Sequence, residues 1–207
     1  MRNSLKSQRD EVLFDFFQEE LQILKNQSIS NETDLYFFDE VGFNLKPNVP
    51  YAWQEKGKTT ILPSIRGGKK SSFTVLGLLN FREQKFDGHL YNGAVNERCV
   101  IKILDDLSLK IEAKYLEDKK KSIVILDNAT IHTSKAVKGK TKIWRARGLF
   151  LQFIPAYSPE LNLIEILWKQ MKHFWLKAQH YASADTLKNA IINILNQYGE
   201  KYVINFA

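Results

Sequence analysis

Leu35-Tyr36-Phe37-Phe38-Asp39-Glu40 is the stretch on which the fold turns. A short run of apolar and aromatic residues between polar flanks reads as a buried strand. It ends on a carboxylate, which is costly to desolvate unless it is paired or binds a cation. A second run, Ile123-Val124-Ile125-Leu126, ends the same way on Asp127. Side chains alternate along a strand, so Asp39 and Glu40 face opposite ways and only one can share a site with Asp127; we take Asp39. Glu165 lies in Ser158-Pro159-Glu160-Leu161-Asn162-Leu163-Ile164-Glu165-Ile166-Leu167-Trp168, which reads as the start of a helix.

Ser158 suits the N-cap of that helix and Pro159 its first position. Leu161, Ile164, Trp168, Met171 and Trp175 then form an inward stripe, which sets Glu165 on or beside the buried face. An acid there needs a partner. A cation shared with Asp39 and Asp127 is one; Lys169, one turn on, is another. Two strand-end acids and one helix acid make an oxygen-ligand set for a divalent cation. Asn128 and His132, just beyond Asp127, are placed to support a carboxylate or a metal-bound water from the next layer out.

The rest of the chain supplies the frame. Residues 9–26 predict a helix with Val12, Leu13, Phe16, Phe17, Leu21 and Leu24 on its apolar face. Residues 44–70, with three prolines and Gly57, Gly67 and Gly68, predict a loop or short hairpin. Strands are expected at 73–81, near 86–91, at 122–127 and at 149–154. Helices are expected at 97–117, 159–178 and 183–198. The first three strands are close enough for an antiparallel meander, and the later ones are separated by helices and so add in parallel. The result is an α/β fold, a mixed sheet of about five strands flanked by helices, in the order of the ribonuclease-H-like fold.

The 207 residues form one large domain or one domain with an appendage. With 44% hydrophobic and 12% aromatic residues, disorder over most of the length is excluded. The net charge is +7, and it is uneven: residues 1–35 hold four basic and seven acidic residues, leaving +10 on the remainder. A basic body favours a polyanionic partner. With the acids, this points to phosphodiester bonds in nucleic acid. Cys99 is the only cysteine, so the chain can build no disulfide of its own and no cysteine-based zinc site. The four histidines lack the HExxH spacing. No signal peptide and no membrane span is read, and a cytoplasmic protein is expected.

Phe38-Asp39-Glu40-Val41-Gly42-Phe43, then Leu126-Asp127-Asn128-Ala129 with His132, then Pro155-Ala156-Tyr157-Ser158-Pro159-Glu160-Leu161-Asn162 with Glu165 and Trp168, resemble the catalytic core of mariner-like DDE transposases. The nearest branch is the bacterial insertion-sequence transposases of that superfamily. The 37 residues between Asp127 and Glu165 fit that family's short second spacing. Leu163 departs from it, standing where the family usually has proline. The resemblance implies that Asp39, Asp127 and Glu165 are the catalytic, metal-binding triad. It also implies two Mg²⁺ or Mn²⁺ ions and cut-and-paste transposition of DNA, with cleavage at transposon ends and joining to target DNA. Two other readings stay open: a ribonuclease-H-like nuclease that cuts without joining, and a non-catalytic, transposon-derived DNA-binding protein.

Two basic stretches are expected to contact DNA phosphates. Lys135, Lys138, Lys140, Lys142, Arg145 and Arg147 follow Asp127 with no intervening acid; Arg66, Lys69 and Lys70 lie in the loop after Asp39, with Lys46, Lys56 and Lys58. The expected organisation is a helical extension at 1–34, a catalytic domain at 35–180 and a C-terminal helix packed on it at 181–207. Family members read transposon ends with helix-turn-helix domains, and no such pair fits residues 1–34. The chain is therefore expected to be the catalytic portion, with three origins open: the downstream half of a two-frame gene whose upstream frame supplies a helix-turn-helix partner, a decayed fragment, or the product of a misassigned start. A homodimer is compatible with joining two ends. In a bacterial cell the protein would be nucleoid-associated when bound to DNA.

Overall fold

A five-stranded sheet organises the chain, in the order β3-β2-β1-β4-β5. The computed structural model describes residues 8–45, 56, 72–204 and 206. Arg66, Lys69 and Lys70, with Lys46 and Lys58, lie outside the described residues. The strands are β1 (Thr33–Asn44), β2 (Ser72–Asn80), β3 (Phe86–Asn92), β4 (Lys121–Leu126) and β5 (Leu149–Phe153). The helices are α1 (Glu11–Ile29), α2 (Glu97–Asp118), α3 (Lys135–Ala146), α4 (Ile164–Gln170) and α5 (Ala184–Asn196).

β1, β4 and β5 are parallel. Leu35 is in register with Ile123 and Phe37 with Ile125, while Val124 is in register with Leu151 and Leu126 with Phe153. β2 and β3 form an antiparallel hairpin: the Asn80 amide donates to the Lys85 carbonyl and the Gly93 amide to that of Ser72. The sheet is therefore mixed, as the element order predicts. Its central strands bury residues on both faces, so Phe37, Phe38 and Asp39 are buried in succession.

Two compact units make up the chain. The first comprises the residues up to Asp39, Gly77–Phe86 and Asn96–Glu165; the second comprises Glu40–Leu76, Asp87–Val95 and Ile166–Ala207. The first packs Leu35, Phe37, Phe38, Leu104, Val124, Leu126, Trp144 and Leu149 at its core. The second packs Val75, Leu76, Leu167, Trp168, Met171, Leu187 and Ile191.

In the first unit, α3 is bound to α2 through Asp105. The Trp144 indole, fully buried, donates to Asp105 Oδ1 at 2.8 Å, and Lys140 reaches Oδ2 at 2.9 Å. Arg147 donates to Ser108 Oγ at 3.2 Å and pairs with Glu112 at 3.5 Å. Gly148 closes α3 at φ 87°, and a Cβ there would overlap the Tyr115 ring, so glycine is required twice over.

Two expectations are corrected. On α1 the buried stripe is Leu21, Leu24 and Ser28, continued by half-buried Phe14 and Phe17; Val12, Leu13 and Phe16 are exposed. Several apolar periods fit one helix, and tertiary packing selects among them. The single helix expected at 159–178 is instead a 3-10 turn (Pro159–Leu161), α4, a π turn (Met171–Trp175) and a 3-10 turn (Ala178–Tyr181). The first break has a cause. Asn162 is extended (φ −99°, ψ 101°) and its side-chain amide donates to the Phe38 carbonyl at 3.1 Å, which stops the first turn from running on. Among the described residues no helix is long and apolar enough to cross a membrane.

Candidate active site

Parallel register sets two of the predicted acids. Asp39 and Asp127 each lie two residues beyond Phe37 and Ile125, the last pair in register between β1 and β4. Parallel register on neighbouring strands thus sets the two positions side by side, Asp39 within β1 and Asp127 just after β4. Asp39 is 8% exposed. Asp127, half-buried, begins a tight turn: its Oδ1 accepts the Ala129 amide at 3.0 Å, and the His132 and Thr133 amides both bond the Ala129 carbonyl.

His132 is fully buried and its Nδ1 lies 2.7 Å from the same Oδ1 of Asp127. Against a carboxylate, that nitrogen carries the proton and donates. The His132 ring meets Phe38 edge-on, with centroids 5.5 Å apart, so its orientation is set by β1. Burial pushes the Asp127 carboxyl up. The bond from His132, the Ala129 amide and the His132 charge outweigh burial and hold it below the usual carboxylate range. Asp127 is thereby kept ionised and oriented. The Asn128 side chain donates to the Ile154 carbonyl, so it ties the end of β4 to the end of β5. That amide hydrogen is committed to the backbone and not to a carboxylate.

Glu165 stands in the first turn of α4 and is exposed, contrary to the expected place on or beside the buried face. The inward positions are Ile164, Leu167, Trp168 and Met171. Its amide donates to the Asn162 carbonyl at 3.0 Å. Asn162 therefore holds β1 next to Asp39 with its side chain and the residue carrying the third acid with its backbone. Sequence reasoning gave Asn162 no role. The available signal was a short amide flanked by the inward-facing Leu161 and Ile164, which must be satisfied if buried.

All three acids line one cavity of about 340 Å³ with Asn128, Ile154, Tyr157 and Asn162. Tyr157 is left-handed at φ 59°, an uncommon state for an aromatic residue, and it turns the chain at the cavity wall. Among the described residues no three histidine, cysteine, aspartate or glutamate side chains are drawn together tightly enough to hold an ion. The donor set still fits a hard, hydrated cation. It is all oxygen, and Asn162 Oδ1 adds a buried acceptor that has no hydrogen-bond partner among the described residues.

Of the predicted DNA contacts after Asp127, Lys135, Lys138, Lys142 and Arg145 are exposed along one face of α3 at three- and four-residue steps. Lys140 and Arg147 turn the other way. They are tied to Asp105, Ser108 and Glu112 on α2. No acid intervenes in sequence, but α2 supplies acids through space.

A mixed sheet in this order, with one acid inside β1, which runs on past Asp39 to Asn44 instead of ending there as expected, and another just after β4, defines a ribonuclease-H-like domain with a carboxylate site. Residues 34–188 match the family described as DDE superfamily endonuclease, and the chain belongs to that family. It is 28% identical over 178 residues to the transposable element Tc3 transposase of Caenorhabditis elegans, covering 84% of this chain and 52% of that protein. The chain thus spans about half the length of this curated relative. Among solved structures it resembles the Mos1 mariner paired end complex with Mn (TM-score 0.59, 19% identity, 90% of this chain and 56% of that one). It also resembles the catalytic domain of Mos1 mariner transposase (TM-score 0.55, 16% identity, 90% of this chain and 82% of that one). These likenesses confirm the ribonuclease-H-like fold.

Proposed function

We propose that this chain is the catalytic portion of a cut-and-paste DNA transposase, cleaving transposon-end phosphodiesters and joining the 3′-hydroxyl ends to target DNA. The observation that carries the reading is that Asp39, Asp127 and Glu165, from three separate segments, line one cavity. Asp39, Asp127 and Glu165 would hold two Mg²⁺ or Mn²⁺ ions, which when bound supply activation of the attacking oxygen and stabilisation of the leaving one.

The protein's own groups prepare that arrangement. His132 and the Ala129 amide fix Asp127 through Oδ1 and keep it anionic. Asn162 ties the Glu165 segment to β1. Asn128 holds the strand ends that carry the cavity wall. Lys135, Lys138, Lys142 and Arg145 form a cationic stripe suited to a phosphate backbone, without base readout. End recognition we assign to a helix-turn-helix partner, and the pairing of two ends to a homodimer.

The test is cleavage and joining in Mn²⁺ or Mg²⁺. Supercoiled plasmid should be nicked, and a pre-cut end with a free 3′-hydroxyl should be joined to a target. Nicking without joining would reduce the chain to a nuclease. Full activity in Asp127→Ala would end the assignment.

A further inference from the structure

A second cavity, of about 430 Å³, opens in the second unit between the π turn at Met171–Trp175, α5 and the segment after it. None of its lining residues lines the cavity of the three acids. Its walls combine three rings, Phe174, Trp175 and Tyr202, with Lys177, Lys201 and His180, and no acid lines it. Trp175 and Tyr202 pack with centroids 5.1 Å apart, and Lys201 Nζ lies 5.6 Å from the Tyr202 ring. Phe174 is 52% exposed, an aromatic left facing water. His180 is turned inward on its own backbone, its Nδ1 accepting the Lys177 amide at 3.0 Å. The two lysines are the positive groups left to meet a ligand.

We propose that this cavity binds an unpaired nucleotide of a single DNA strand, with the base against Phe174, Trp175 and Tyr202 and the neighbouring phosphates on Lys177 and Lys201. The volume is within the range of ligand pockets, about 300–1,000 Å³, and leaves room for one nucleotide. Every base has a flat face for the rings, and each phosphate a charge for the lysines. An acidic peptide would engage the lysines and leave the ring faces in water. A paired base offers no free face, so the cavity selects a strand that is open or flipped. This rests on the reading of the chain as DNA-processing, and it locates where that processing holds a strand outside the duplex.

The test uses the full chain and a labelled ten-residue oligothymidylate, followed by fluorescence anisotropy, with a duplex of the same length and free thymidine monophosphate alongside. Phe174→Ala should weaken the single strand roughly tenfold, the loss expected for one stacked base, and leave the duplex within about twofold. Lys177→Ala with Lys201→Ala should lower the slope of log affinity against log salt by about 1.4, the value for two single-strand phosphate contacts. Near-UV circular dichroism checks that each variant is folded. The inference is overturned if folded variants bind the oligonucleotide as the native chain does, or if the duplex loses as much. It is also overturned if the monophosphate binds as tightly as the strand. Asp127→Ala should lose cleavage and keep this binding. A native chain that binds the strand here yet never cleaves would sink the transposase reading and not this one.

Discussion

Asp39 and Asp127 are carried by adjacent parallel strands, while Glu165 stands on a helix of seven residues interrupted on both sides. Strand register and the Asp127–His132 bond fix the first pair before any substrate arrives. Glu165 is exposed and is held through its backbone by Asn162, whose side chain is bonded to β1. The molecule thus pairs a rigid half-site on the sheet with a third carboxylate delivered by a short, tethered helix.

The largest effects should strike the shared function of both halves. Asp39→Ala, Asp127→Ala and Glu165→Ala should each drop plasmid nicking to background while duplex binding in a gel shift stays near native. If Glu165→Ala alone kept substantial activity, the helix half would be dispensable. Asn162→Ala breaks the tether and not an acid. It should lower the unfolding free energy by about 1–3 kcal/mol and reduce cleavage more than DNA affinity, read by denaturant melts and single-turnover cleavage.

Asp105→Ala provides a control away from the cavity. It leaves the buried Trp144 N–H without its acceptor, at about 1–3 kcal/mol, and should spare cleavage at temperatures where the chain stays folded. Its pH dependence has a definite sign. Burial pushes Asp105 up, but the bonds from Lys140 and Trp144 and the charges of Lys140 and Arg147 outweigh it and hold the carboxyl low. A depressed folded value means the stabilisation is complete above the unfolded value, about 3.9, and drains away as pH falls through the folded one. Acid melts of the native chain should show that loss, and the variant should lack it. The smallest effect falls on the cationic stripe. Lys138→Ala with Lys142→Ala should reduce the salt slope of duplex binding by about 1.8, equally for all sequences. Lys140, tied to Asp105, should contribute far less to that slope.

The rigid half of the site was legible in the chain because its signal is local. A short apolar run ending in an acid, twice, gives two strands and two carboxylates, and the helices between them force parallel pairing. The delivered half was legible only as a motif. Its residues were identified, but a stripe at helical spacing cannot show that a buried amide on Asn162 will stop the helix. The same limit explains α1, where Val12 and Phe16 fit an apolar face that tertiary packing did not use. It explains α3 as well, where six cations looked alike until Asp105 and Glu112 claimed two of them. Charge that is paired through space leaves no trace in the order of residues.

Diffraction from crystals soaked in Mn²⁺, with anomalous differences recorded at the manganese edge, tests the central claim most directly. We expect two anomalous peaks in the cavity, ligated by carboxylate oxygens of Asp39, Asp127 and Glu165. Ions bound elsewhere, or held by Asp39 and Asp127 with Glu165 turned away even when DNA is present, would contradict it.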